Sequence, residues 1–178
     1  MQPLHIFYIF IKMKKTLISA LFHIVLLCGC ASSRLALFTV PVSPNVNLYY
    51  MPMTEWQPMK GTSLKAELDF TYRNEEGSPA ICNVSVFSQE VLPKEVSAAS
   101  LESENATGSF QEIEQLLMRP EMKELRVTTK VDIEDFVRVL ESREIVFVCR
   151  VDGENGRYKA PKDFYHYAEQ FLRSLGRK

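Results

Sequence analysis

From Leu64 to Arg73 the chain alternates without a break. Leu64, Ala66, Leu68, Phe70 and Tyr72 occupy one parity; Lys65, Glu67, Asp69, Thr71 and Arg73 occupy the other. A repeat of two with one apolar and one polar face is the pattern of a strand covered on one side, and a helical period cannot satisfy it. Asn74-Glu-Glu-Gly-Ser-Pro79 supplies turn residues, and Ala80 to Ser88 reads as a returning strand, so an antiparallel hairpin is expected. The chain has 178 residues, 46% of them apolar. That length and composition suit one hydrophobic core and exclude collagen-like, low-complexity and wholly disordered chains.

Further along, residues 89–108 read as a long connection with a short strand from Val96 to Leu101. Ser109-Phe-Gln-Glu112 fits a capping box, predicting a short helix to Met118 with Phe110, Ile113, Leu116 and Leu117 inward and Pro120 as its stop. Leu125, Val127, Thr129 and Val131 alternate as a third strand. Asp132 then caps a helix whose Ile133, Phe136, Val137 and Leu140 recur at helical spacing. Ile145 to Val151 is apolar enough for a central strand, Asp152-Gly-Glu-Asn-Gly156 is a turn, and Tyr158 and Ala160 begin the return. Pro161 to Leu175 reads as an amphipathic helix stopped by Gly176. The expected fold is therefore α+β, a mainly antiparallel sheet with helices packed on one face. A β-sandwich with a C-terminal helix, its middle helices reduced to loops, is the alternative.

The front of the chain has a different layout. Lys14 and Lys15 precede an apolar run from Leu17 to Leu27 and then small residues, the three-part design of a secretory signal peptide. Met13-Lys-Lys-Thr reads as the start, leaving residues 1–12 upstream of it. Leu27-Cys28-Gly29-Cys30 resembles the lipobox of bacterial lipoproteins, a resemblance confined to about the first thirty residues. It implies a signal peptide over 1–29, cleavage between Gly29 and Cys30, and a diacylglycerol on the Cys30 sulfur, with palmitate among the acyl chains. Cys28 departs from the usual Ala, Ser, Thr or Val at its position. Ala31, not being Asp, implies sorting to the outer membrane. Residues 30–61, punctuated by Pro41, Pro44, Pro52 and Pro58, then read as a lipid-anchored tether partly laid along the domain as an edge strand. Residues 62–178 read as the single globular domain.

Three lysines and no acids precede residue 30, so the mature part carries 18 basic against 22 acidic residues, a net charge of −4. This speaks against nucleic acid as a partner and against electrostatic attraction to an anionic bilayer, leaving the acyl chains on Cys30 as the membrane attachment. Cys82 and Cys149 share the apolar faces of their strands. In an exported domain they form either a disulfide closing 67 residues or two buried thiols. His166, the one histidine after residue 30, reads as a surface or boundary residue, and no metal or cofactor motif is present. Glu67 and Asp69 share a face that reads as solvated, and the Asn83 and Asn105 glycosylation patterns read as chance. Tyr49, Tyr50 and Trp56 beside Met51, Met53 and Met59 read equally as core lining or as interface.

Three roles follow, in order. The first is a lipid-anchored envelope protein with a non-enzymatic docking or structural role toward an envelope protein or component. The second is a small apolar-ligand carrier with a pocket near Phe70, Tyr72 and Phe147. The third is an envelope hydrolase using His166.

Overall fold

The computed structural model describes residues 36–177. Its strands are β1 (Phe38–Ser43), β2 (Val46–Pro58), β3 (Lys65–Arg73), β4 (Ala80–Phe87), β5 (Val96–Glu102), β6 (Thr107–Ser109), β7 (Gln111–Arg119), β8 (Glu124–Val131), β9 (Val146–Val151) and β10 (Glu154–Lys159). Helix α1 (Ile133–Leu140) lies between β8 and β9, and α2 (Lys162–Ser174) follows β10. A single 3-10 turn, Pro120–Met122, joins β7 to β8.

The pairings are antiparallel, in the order β6-β5-β9-β10-β2-β3-β4-β8-β7, with β1 added to β2. The two ends of that order are consecutive in the chain. β6 pairs with β5 and β7 with β8, and between them the Phe110 N–H donates to the Ala99 carbonyl at 3.0 Å. The sheet thus curls into a nearly closed barrel, which removes most free edges. Its narrowest seam is β10 against β2, paired at Tyr158–Pro58 and Lys159–Gln57.

Both helices pack their apolar stripes on the concave face. Phe136 of α1 stacks on Phe70 of β3 at 5.0 Å. Phe164 of α2 meets Trp56 at 4.9 Å and Phe70 at 5.6 Å, and Phe171 meets Tyr49 at 5.7 Å. The antiparallel sheet with packed helices is present, but it is sheet-dominated, with two helices among the described residues.

Local expectations hold where the signal is strong. The β3–β4 hairpin runs in register from Lys65–Phe87 to Tyr72–Ala80. The Asp132 carboxylate accepts the Glu134 and Asp135 N–H groups at 2.9 and 3.1 Å and so caps α1. The β9–β10 turn tightens to Asp152-Gly153, both at positive φ (51° and 88°), the two-residue geometry that matches strand twist. Asp152 also accepts the Lys94 and Glu95 N–H groups, at 3.1 and 2.9 Å.

Two expectations are corrected. The capping box at Ser109–Glu112 opens a strand, not a helix. Residues 111–119 pair with β8, whose edge would otherwise be bare, and Glu112 takes φ 52° where the register shifts. A run of good helix formers is here overridden by a pairing partner distant in space. The tether expected over 30–61 also shortens, because residues 38–58 are strands. β2 lies within the sheet between β10 and β3, and Tyr49, Met51 and Trp56 belong to the core. Its bend between Met51 and Thr54, a register shift at Pro52-Met53, lets one strand serve both parts of the sheet.

Gly156 on β10 faces the enclosed Tyr158 ring, and a Cβ there would lie 2.8 Å from the hydroxyl and 2.9 Å from a ring carbon. Gly156→Ala should therefore lower stability by about 1–3 kcal/mol, measured as a fall in the urea midpoint at unchanged slope.

Candidate functional site

The convex face of the sheet carries a charged cluster. Parity on β3 that sends Ala66, Leu68 and Phe70 inward turns Glu67 and Asp69 outward, and the partner rows bring Asn83 and Ser85 of β4 and Arg126 of β8 beside them. Arg126 sits opposite Ser85 but reaches diagonally across β4 to ion-pair with Asp69. Two strand spacings of about 4.8 Å separate β3 from β8, a span that suits the arginine side chain. On the way its Nη1 donates to Ser85 Oγ at 2.8 Å, while Asn83 Nδ2 donates to Asp69 Oδ1 at 2.7 Å. Asp69 is consequently 3% exposed and Ser85 fully covered. Of the pair expected to be solvated, Asp69 is covered by the guanidinium and Glu67 stays partly exposed.

One row along, Arg119 of β7 donates to Glu124 of β8 at 3.1 Å, and Glu124 is 3% exposed. Met53, Phe87 and Met122 stand beside these groups around a cleft of about 310 Å³, floored by Glu67, Glu124, Arg119 and Arg126. Three carboxylates thus meet two guanidinium groups. Glu67 bears the imbalance: burial first, then Glu55 and Glu124, push its carboxyl above the usual range, with Arg126 and Lys65 opposing. Burial, then Asp69, likewise raises the Tyr50 hydroxyl at the edge of the cluster.

The sequence-expected residues fall elsewhere. Gly29 and Cys30 lie outside the described residues. Cys82 and Cys149 are free thiols, both buried, on β4 and β9, with β10, β2 and β3 between them in the hydrogen-bonding order. The disulfide alternative is therefore corrected to the buried-thiol one, since the two strands are not neighbours. Burial drives both thiols away from reactivity: Cys82 is raised well above the ordinary value, and Cys149 is pushed up to about 12. His166 is exposed on α2, its ring 6.5 Å from that of Tyr167.

The expected ligand pocket is filled by the protein's own rings. Phe70 and Phe147 are core, and the gap among Tyr49, Phe70, Tyr72, Phe136 and Phe171 leaves no room for a water molecule. An open groove of about 840 Å³ lies beside the β5–β6 turn, where Glu102, Glu104, Glu141 and Glu144 mix with Arg138, Arg143 and Arg157. Of the aromatic and methionine group, Tyr49, Met51 and Trp56 are core, whereas Met53 and Met59 are exposed.

No family model, curated protein or solved structure matches this chain.

Two outcomes test the site as built. Arg126→Met should cost about 3–5 kcal/mol in urea unfolding by leaving Asp69 buried and uncompensated, and the double variant Asp69→Leu, Arg126→Met should recover most of it. Native protein at pH 8 should leave Cys82 and Cys149 unalkylated by iodoacetamide and expose both in denaturant; rapid native labelling of either would contradict the burial described.

Proposed function

We propose that this chain is the precursor of a lipid-anchored cell-envelope protein, held in the outer membrane through acyl chains on Cys30, with a docking or structural rather than a chemical role. The observation that carries this reading is the lipobox-like Leu27-Cys28-Gly29-Cys30, placed directly after a short apolar run with two lysines before it. The spacing to the folded part supports it. Leu37 already packs against the core and its N–H is held by Gln170 Oε1 of α2 at 2.9 Å, so six residues separate the anchor cysteine from the domain. At about 3.6 Å per residue at most, such a short link keeps the domain against the bilayer surface.

The chemistry of the convex face suits recognition. Methionine side chains, adaptable and polarizable, stand beside the Arg119–Glu124 and Arg126–Asp69 ion pairs and the carboxylate of Glu67, an arrangement suited to binding by packing and charge complementarity. One acyl chain gives reversible membrane binding, whereas two or three on a single residue make attachment effectively permanent.

Metabolic labelling with palmitate tests the reading. Wild type and Cys28→Ser should incorporate label and fractionate with membranes. Cys30→Ser should lose the label and accumulate at precursor mass; labelling that survives Cys30→Ser rejects the assigned anchor.

A further inference from the structure

We propose that the outward face of the β1–β2 hairpin is a membrane-contact surface, seated in the headgroup region of the bilayer that carries the Cys30 anchor; this rests on the lipid-anchor reading above. Phe38, Val40 and Val42 are 57%, 52% and 49% exposed. Register with β2 sets Phe38 against Tyr50 and Val40 against Leu48, and the Phe38 and Tyr50 rings lie 6.1 Å apart, so the exposed side chains form one patch.

β1 is exposed along its length, and the hairpin is fixed at its root and along β2. On the opposite face of the same hairpin Leu37 packs on the core, and Tyr49 stacks with Tyr72 at 6.4 Å and meets the edge of Phe171 at 5.7 Å. The outward residues are therefore held open to their surroundings by a fixed frame.

Three features identify lipid as the occupant. In a chain that is 24% charged, residues 35–54 contain no Asp, Glu, Lys, Arg or His, so the hairpin itself brings no charge to an interface, and Arg73, which stands across from Leu48 on the same face, is ion-paired with Glu75. Phe38 begins eight residues after Cys30, a contour of at most about 29 Å, which places the patch within reach of the anchored leaflet. Pro41, in the middle of β1, lacks the N–H that an added strand would need, which disfavours pairing with a second copy or with a partner's strand. An apolar face whose free edge is interrupted by a proline suits lipid, where side-chain burial contributes. With no basic residue in the hairpin, zwitterionic lipid is sufficient.

The test uses the acylated protein, purified and reconstituted into phosphatidylcholine vesicles, with nitroxide lipid as quencher. Val40→Cys carries a nitrobenzoxadiazole probe, and Asn105→Cys on the exposed β5–β6 turn is the control. Val40 is half exposed, so the change disturbs little packing, and the native thiols are buried. The Val40 probe should be quenched by headgroup-level nitroxide about twofold or more beyond the Asn105 probe, equally with and without anionic phosphatidylglycerol. Equal quenching at the two positions on a protein whose Cys30 peptide has the acylated mass overturns this proposal alone. Disulfide-linked dimers of unlabelled Val40→Cys formed in place of lipid contact assign the face to a second copy and also overturn it. An unmodified Cys30 overturns the anchor reading and this inference with it.

Discussion

Phe147 touches both places where the sheet must be held closed. Its ring lies 6.1 Å from Trp56 on β2, 5.7 Å from Tyr158 on β10, and 6.0 Å from Phe110, where β6 passes into β7. Backbone pairing is thin at both places: two residue pairs and the Met59 N–H to the Arg157 carbonyl at the β10–β2 seam, and one N–H at Phe110. Side-chain burial must supply what the ladder does not, and large aromatic side chains each cover roughly 150–250 Å². From Trp56 the contacts continue to Phe164, Phe70, Phe136 and Phe171, tying both helices to the seam. The arrangement tolerates some polar cost. The Trp56 indole N–H is enclosed without a hydrogen-bond partner, and the Tyr158 hydroxyl faces the Cys149 thiol, a weak partner.

The rings that close the barrel also fill the space among Tyr49, Phe70, Tyr72, Phe136 and Phe171, and the charged cluster lies on the convex side. There the same alternation that builds the core works in reverse. Inward apolar residues on β3 and β8 set polar neighbours outward, as Asn83 and Ser85 are set on β4 between the apolar Ile81 and Phe87, and close strand spacing brings those neighbours within side-chain reach. Arg126 turns that row into a covered network by lying across β4, so a surface of isolated charges becomes one of paired charges with limited exposure. Glu67, which makes no ion pair among the described residues, is the member whose charge is least favourable, and burial is the main reason.

What could be read beforehand follows from the range of the interactions involved. The β3–β4 hairpin, the Asp132 cap, the tight Asp152-Gly153 turn and the stripe of α2 depend on residues a few positions apart, and each is legible in the chain. The β7 strand is not. Gln111 to Met118 favours a helix locally, and only the bare edge of β8 and the need to close the sheet make it extended. The same limit hid the charged cluster. Asp69 and Arg126 lie 57 residues apart, and their meeting depends on β4 pairing with β8, a register that no local pattern encodes. A cysteine's face could be read, but not the neighbour of its strand, which is why Cys82 and Cys149 remained open to two readings.

The prolines of residues 41–58 show how the same residue type can mean different things along one stretch. Taken together they suggest a stiff connection, yet each sits where a strand can accept it. Pro41 is on β1, which pairs with β2 alone, Pro44 is in the hairpin turn, Pro52 is in the bend of β2, and Pro58 is at the strand's end. The strand they punctuate supplies Trp56 to the central aromatic group and Tyr49 to the packing beneath the hairpin. The hairpin is thus continuous with the core through β2. A pull on the chain ahead of Leu37 would be borne first by its contact with α2 and then by the full length of β2, not by a hinge. With the proposed anchor on Cys30, that mechanical continuity would let the uncharged hairpin orient the barrel at the bilayer surface.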